Sequence, residues 1–442
     1  MMMNAPMGFA LTLVITLVAQ ALLPAHRLLV VLAGAALSCA GAALAGVASV
    51  GAVLAGVPWN VLLILVALGL FTHRLADTQV FGLASVALVR AARAHPLGLL
   101  VLSTLGTFAV SSVVNNLTAL LVILPVLLTV FALAGVSQRF VVWSLGLMLV
   151  ACNLGGAATP IGDFPAVLLL GSGAMTFEAY LRAAMPATLL ALALLIGLVL
   201  AMRPAQDVPV TPLGRRLTLA TLGQLYRGVR LDWRLLAPCL GALAGMVAGW
   251  LLLPPAWGIG PDMVAWMGAG VVLLAQPTRG EAALKRAVDV EAVLFLLALF
   301  LMVGVVRETG LFGELATLLL SAPLAPEGQL VLFLVVAAVL TGLFSAGPSM
   351  AALLEVADVL SQQMPGEAVY VGLALAVCAG SSLFLTAATA GPLMQSLAER
   401  AALRDVHGQP VHFGFREYLG VGLLGFTVIL AVAIGRTLWV IR

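Results

Sequence analysis

Apolar positions dominate this chain in long blocks, and the blocks rather than single residues carry the first information. A helix that crosses a bilayer needs ~20 consecutive apolar residues. By that ruler the first half reads as apolar runs near 7–24, 28–56, 58–73, 97–134, 140–172 and 183–202. A polar stretch rich in Pro and Arg follows at 203–234. The second half then reads as runs near 235–254, 260–276, 290–306, 328–361, 368–398 and 418–438. The first run lacks a basic leading segment and continues directly into the second, so it reads as a span and not as a cleaved leader. Six runs, a basic linker and six more predict a duplication.

The duplication is visible residue by residue. Asp77-Thr78-Gln79-Val80-Phe81-Gly82 aligns with Glu308-Thr309-Gly310-Leu311-Phe312-Gly313 at an offset of 231. Phe177-Glu178-Ala179-Tyr180-Leu181 aligns with Phe415-Arg416-Glu417-Tyr418-Leu419 at 238, and Thr159 and Pro165 align with Thr386 and Pro392 at 227. The division expected is a first repeat at 1–202, a cytoplasmic basic linker at 203–234 and a second repeat at 235–442.

Two runs in each half are interrupted by polar or glycine-rich residues, at 111–118 and 153–163, and again at 344–349 and 380–392. Non-helical backbone is tolerated at membrane depth only where protein or a water-lined cavity satisfies it. Interrupted segments at matching positions of two halves point to a transporter's binding site. If 97–134 is a re-entrant hairpin and 140–172 a crossing with a broken middle, each half crosses five times, so the halves are inverted. Of the 21 basic residues, 17 then fall on one side and 4 on the other, the asymmetry expected between cytoplasm and exterior. The fold class is therefore an all-α polytopic membrane protein. It has two inverted repeats of five crossings each, re-entrant hairpins, broken helices, about ten transmembrane helices and both termini outside, in a cell inner membrane.

Composition agrees and narrows the function. Hydrophobic residues make up 63% of the 442 and charged residues 9%, against roughly 25% charged in soluble proteins. This excludes a soluble enzyme, a nucleic-acid binder and a disordered chain, and no Walker A sequence is present for an ATPase. The four cysteines lie far apart in apolar stretches, and the five histidines lack ligand spacing.

Asn115-Asn116-Leu117-Thr118-Ala119-Leu120 ahead of Pro125, and Gly155-Gly156-Ala157-Ala158-Thr159-Pro160-Ile161-Gly162-Asp163, resemble signatures of the ion-transporter superfamily. That group contains arsenite-efflux permeases, citrate and dicarboxylate transporters and a class of bacterial sodium/proton antiporter. The stretch from Leu294 to Phe312 is similar to its third span in the second repeat. The resemblance implies a scaffold domain and a moving transport domain, with hairpin tips and broken helices meeting near the midplane. It implies ion or substrate contacts at Asn115, Asn116 and Thr118 on the first hairpin, and at Thr159, Gly162 and Asp163 in the first break. The matching positions of the second repeat are Ser345, Ser349, Thr386 and Thr389. There Gly347-Pro348-Ser349 replaces the Asn-containing tip, which puts a second cation site in question.

The chemistry fits these residue types. Na⁺ takes oxygen ligands from carbonyls, Asn and Thr, so a Na⁺ site is expected at Asn116, Thr118 and Asp163. An anion instead suits the N-terminal ends of half-helices. Asp163 is the only acidic residue in a break, and a carboxylate at helix centre costs ~2.5–3.5 kcal/mol to insert. It either exchanges Na⁺ or H⁺, or caps the second half-helix. Glu355 and Asp358 share a helical face and read either as a proton relay or as solvated outer groups. Asp77 with Arg74, and Glu308 with Arg307, read as interfacial pairs. No Lys or Arg falls in a break, which favours a small inorganic anion, a neutral arsenite-like species or cation/proton exchange over a bulky polycarboxylate. The expected activity is alternating-access transport of a small anion or oxyanion coupled to Na⁺ or H⁺. The alternatives are a Na⁺/H⁺ antiporter using Asp163 and, from another class, an ion channel. No cofactor beyond the coupling ion is expected. Expected partners are the bilayer and a small inorganic or organic ion, with a homodimer as the candidate assembly.

Overall fold

The structure is a computed structural model and describes residues 5–442 except 24, 25, 206, 207, 209–211, 287, 389 and 406. Among them the elements are helical. The first half comprises α1 (Ala5–Leu22), α2 (Arg27–Leu44), α3 (Val50–Ala55), α4 (Trp59–Asp77), α5 (Val80–Ala91), α6 (Pro96–Ser111), α7 (Asn116–Ala134), α8 (Gln138–Ala158), α9 (Phe164–Gly171) and α10 (Phe177–Ala201). The linker forms α11 (Pro212–Leu225). The second half comprises α12 (Trp233–Leu252), α13 (Pro261–Leu274), α14 (Pro277–Arg286), α15 (Val290–Glu308), α16 (Leu311–Leu320), α17 (Pro326–Phe344), α18 (Ala346–Leu360), α19 (Gly366–Ser381), α20 (Ala390–Arg400) and α21 (Phe415–Ile441).

Side-chain ties between helix ends sort the molecule into two faces. Arg27 at the start of α2 pairs with Glu291 at the start of α15 (3.4 Å). Arg74 near the end of α4 donates to Gln276 just beyond α13 (3.4 Å), and the Asp232 amide ahead of α12 donates to the Thr78 carbonyl (3.2 Å). The ends of α8 and α10 join this face through Arg139 Nη2 donating to the Met202 carbonyl (2.9 Å). Here it is called the linker face. On the opposite face Arg307, near the end of α15, lies against Gly56 and pairs with Glu355 (3.4 Å). Phe9 of α1 packs beside Gly41 there, and Arg436 of α21 pairs with Glu367. Thus α4 runs towards the linker face and its repeat partner α15 runs away from it. The halves are inverted, and the first and last helices both have their outer ends opposite the linker.

The packing repeats with the halves exchanged. Helix α2 packs on α15 as α13 packs on α4, α6 lies along α8 as α17 lies along α19, and α9 meets α18 as α20 meets α7. Two glycines at matching positions let the broken helices approach the hairpins. A Cβ on Gly155 would meet the Phe108 carbonyl and, at 3.0 Å, Ser111 Cβ. One on Gly380 would meet the Ala338 carbonyl and, at 2.6 Å, Thr341 Cβ.

Among the described residues nine helices are long and apolar enough to span a membrane. Two of these, α7 and α17, are single arms of the hairpins α6–α7 and α17–α18, each of which returns to the face it left. The shorter α1 and α13, and α19 continued by α20, complete the crossings. The run at 28–56 is not one span: the chain breaks after α2 and adds the short α3 before α4. The polar linker also carries a helix that no apolar run marks, α11, and α12 begins within it at Trp233.

Candidate functional site

The first break follows from its prolines. Pro160 has no amide hydrogen and disfavours helical backbone at the residue before it, and Thr159 is extended (φ −129°, ψ 156°). Pro165 then suits the first turn of a new helix, and α9 starts at Phe164. In the hairpin, Asn115 ends the tip as the cap of α7, its Oδ1 accepting from the Thr118 amide at 2.8 Å.

The tip and the break are joined by a compact set of hydrogen bonds. Asn116 Nδ2 donates to Asp163 Oδ2 (2.9 Å), and the single Ser111 hydroxyl proton is shared between two acceptors, Asn116 Oδ1 and the Cys152 carbonyl (2.8 Å). Thr159 Oγ1 donates to the Ser112 carbonyl (2.6 Å), and Cys152 Sγ to the Asn116 carbonyl (3.4 Å). Asn116 is buried at 5% exposure, while Asp163 is only partly covered. A Cβ on Gly156 would lie 2.7 Å from Asp163 Cβ and 2.8 Å from Asn116 Oδ1, so the missing side chain admits the pair. Gly162 faces it, with a would-be Cβ 2.8 Å from Gly156 Cα. Asp163 occupies the cap position of α9, but its side chain makes no capping bond. Asn116 takes that carboxylate instead.

Of the expected first-repeat residues, the structure gathers Asn116, Thr159, Gly162 and Asp163. Thr118 enters through its backbone amide and Asn115 through its cap. Ser111, Cys152 and Gly156 belong to the cluster as well. Ser111 lay inside the interrupted stretch already picked out, but Cys152 read only as a buried apolar residue.

The second repeat is built differently. Ser345 alone separates α17 from α18, with φ 72° and ψ 166°, a region costly for any residue but glycine. Ser349 is buried with its Oγ unpartnered, and Thr386 is exposed; Thr389 lies outside the described residues. Gly347 of this tip lies beside Phe164 at the start of α9: a Cβ there would be 3.9 Å from its ring. The two breaks touch through Asn153, whose Nδ2 donates to the Ser381 carbonyl (3.2 Å) and Ser382 Oγ (3.1 Å). Both hairpins and both breaks therefore meet in one region, with Asn116 and Asp163 contributed by the first repeat alone.

The remaining acidic groups lie elsewhere. Glu355 is half-buried and paired with Arg307, and Asp358 is exposed and accepts from the Tyr370 hydroxyl (2.9 Å). Neither shares a hydrogen bond with the Asn116–Asp163 cluster. Asp289 caps α15 through the Ala292 amide (2.9 Å). The Arg74–Asp77 pair (2.8 Å) is not an open interfacial one, because Arg74 is 1% exposed. Its guanidinium is a buried tie between α4 and the segment after α13.

Inverted halves, paired hairpins and breaks, and a polar cluster at their meeting point define a multi-pass membrane secondary transporter. The chain belongs to the citrate transporter family (CitMHS), whose profile matches residues 11–380. It is 29% identical over 373 residues to an uncharacterized transporter of Mycobacterium tuberculosis (strain CDC 1551 / Oshkosh), covering 81% of each chain. It is 27% identical over 416 residues to magnetosome protein MamN of Magnetospirillum gryphiswaldense, covering 91% of this chain and 92% of that one. Its fold is similar to the crystal structure of the Alcanivorax borkumensis YdaH transporter, with a TM-score of 0.57 at 15% identity over 88% of this chain and 87% of that one.

Proposed function

We propose that the chain carries a small anion or oxyanion across a cell inner membrane by alternating access, coupled to Na⁺ or H⁺. The observation that carries this reading is the Asn116–Asp163 pair, which puts an amide and a carboxylate at the junction of tip and break. No cationic side chain joins the hydrogen bonds of this cluster among the described residues. Asp163, the Asn116 side-chain oxygen and nearby carbonyls suit a small hard cation. An anion would be drawn by the bound cation and by the α9 dipole, since Pro165 has no amide hydrogen and the Ala166 and Val167 amides already donate to the Asp163 carbonyl (3.1 Å). In this reading the linker face is cytoplasmic, because it holds the larger share of arginines, and both termini lie outside.

Citrate, the substrate in the family's description, is the discriminating probe. It carries several carboxylates, and this site would have to hold them with helix ends, hydroxyls and bound cation. The test is solute uptake into proteoliposomes, comparing citrate with small oxyanions under imposed Na⁺ or pH gradients. The expected result is saturable uptake that follows one gradient and prefers the smaller anion. Non-saturating flux indifferent to both gradients would make the protein a channel.

A second reading, Na⁺/H⁺ exchange at Asp163, draws on the same carboxylate having an amide rather than a cation as its partner. Collapse of a preformed pH gradient on adding Na⁺, with no anion present, would select it over anion transport.

A further inference from the structure

On the linker face, away from the cluster, a cavity of about 470 Å³ opens between α5 and the end of α11. Cavities that hold small ligands run to roughly 300–1,000 Å³. One wall is apolar, formed by Leu83, Val86 and Ala87 of α5, and Arg90, Gly223, Tyr226, Arg227 and Val229 complete the lining with no carboxylate among them. The Arg90 guanidinium reaches across to α11, where Nη2 would lie 3.9 Å from a Cβ on Gly223. Among the described residues, neither Arg90 nor Arg227 has an ion pair or side-chain hydrogen bond. An arginine at the last turn of a helix complements the helix dipole, which accounts for Arg90 alone. It does not account for a second arginine from another segment on the same cavity.

The linker helix places this cavity in the membrane surface. Leu222 of α11 is buried against Val86, Val89, Val126 and Val130, whereas Leu213, Leu217 and Leu225 are exposed on a helix that also carries Arg215 and Arg216. Exposed leucines beside arginines mark a helix that lies in the interface between headgroups and acyl chains. Basic pockets at that depth select anionic headgroups, with each arginine near the surface contributing about 1 kcal/mol.

We infer that this cavity binds the phosphate headgroup of an anionic phospholipid between Arg90 and Arg227, with the apolar wall of α5 against its glycerol and upper acyl carbons. Because α5 packs on both arms of the first hairpin and α11 packs on α7, the bound lipid ties the linker to the hairpin that carries Asn116.

The test is thermal unfolding of the purified full-length protein in detergent, titrated with phosphatidylglycerol, phosphatidylcholine or glycerol phosphate. Phosphatidylglycerol is expected to raise the midpoint saturably, and the other two are not. Arg90→Gln with Arg227→Gln should weaken the apparent affinity about 5-fold per arginine. Arg216→Gln, which removes the same charge outside the cavity, should respond as the parent does. Ala87→Trp keeps every charge and fills the cavity, so it should abolish the response, and it decides the matter if the double variant does not fold. Equal shifts from both lipids, or a double variant or Ala87→Trp protein that responds as the parent does, would overturn the assignment. A glycerol phosphate response equal to that of the lipid would overturn it in favour of a soluble anion.

Discussion

Asn116 and Asp163 are 47 positions apart and meet at 2.9 Å, amide to carboxylate, across the space left by Gly156. The bond makes the first hairpin and the first broken helix one unit at their tips. It also gives the carboxylate a neutral amide as its side-chain partner, so on the proposed function its charge is left for an arriving cation or proton to balance. A cation or proton taken up there would then alter how tip and break are held together.

Asp163→Asn tests this directly. The substitution keeps shape and hydrogen-bonding capacity but removes the titratable charge. The protein should insert and fold, and exchange of labelled solute at equal concentrations should persist. Uptake driven by a Na⁺ or pH gradient should be lost and its pH profile should flatten. Normal driven uptake with an unchanged profile would assign coupling to other oxygens.

Gly156→Ala adds one methyl group and no charge. Its Cβ would have to displace Asp163 or Asn116, a strain of about 1–3 kcal/mol. Driven uptake should fall as far as it does in Asp163→Asn, with expression and membrane insertion retained. Full driven uptake would mean that the pair need not be in contact.

Tyr180 and Tyr418 hold the two breaks in the same way. The Tyr180 hydroxyl donates to the Ala157 carbonyl (2.8 Å) and the Tyr418 hydroxyl to the Ser382 carbonyl (2.7 Å). Phe at either position leaves a buried carbonyl unpaired, at a cost of about 1–3 kcal/mol. Thermal unfolding should register similar losses for Tyr180→Phe and Tyr418→Phe. A loss confined to one would end their equivalence.

Orientation is checked with single thiols. Gln362→Cys lies in the turn after α18 and Gly228→Cys in the linker, on opposite faces. In a Cys39→Ser background, a membrane-impermeant maleimide added to intact cells should label the first and spare the second. The reverse pattern would invert the proposed topology.

The repeat was legible because its markers do the same work twice. Tyr180 and Tyr418 aligned at a fixed place in each half, and each meets a carbonyl at the end of its broken helix. The breaks were legible because Pro160 and Pro165 act locally on the backbone. Long-range partners were not. Nothing near Cys152 announces that its carbonyl receives Ser111, and nothing near Arg74 announces burial, since that burial is created by α12 to α14 some 160 or more residues later. Helix α11 was hidden by its mixed composition, because it is stabilised by Leu222 packing on α5 and α7 rather than by an apolar run.

The unequal tips have an energetic consequence. In a transporter made of inverted repeats, letting the halves trade conformations converts one facing state into the other. Identical halves would make those two states degenerate. Here one tip has four residues, 112–115, before a helix that begins with Asn116, and the other turns on Ser345 alone in a backbone region that costs about 1–3 kcal/mol. The degeneracy is therefore lifted at the tips. On the proposed alternating-access cycle the carrier would then prefer one facing direction at zero gradient, with the sign set by which hairpin is the more strained when its own side is closed.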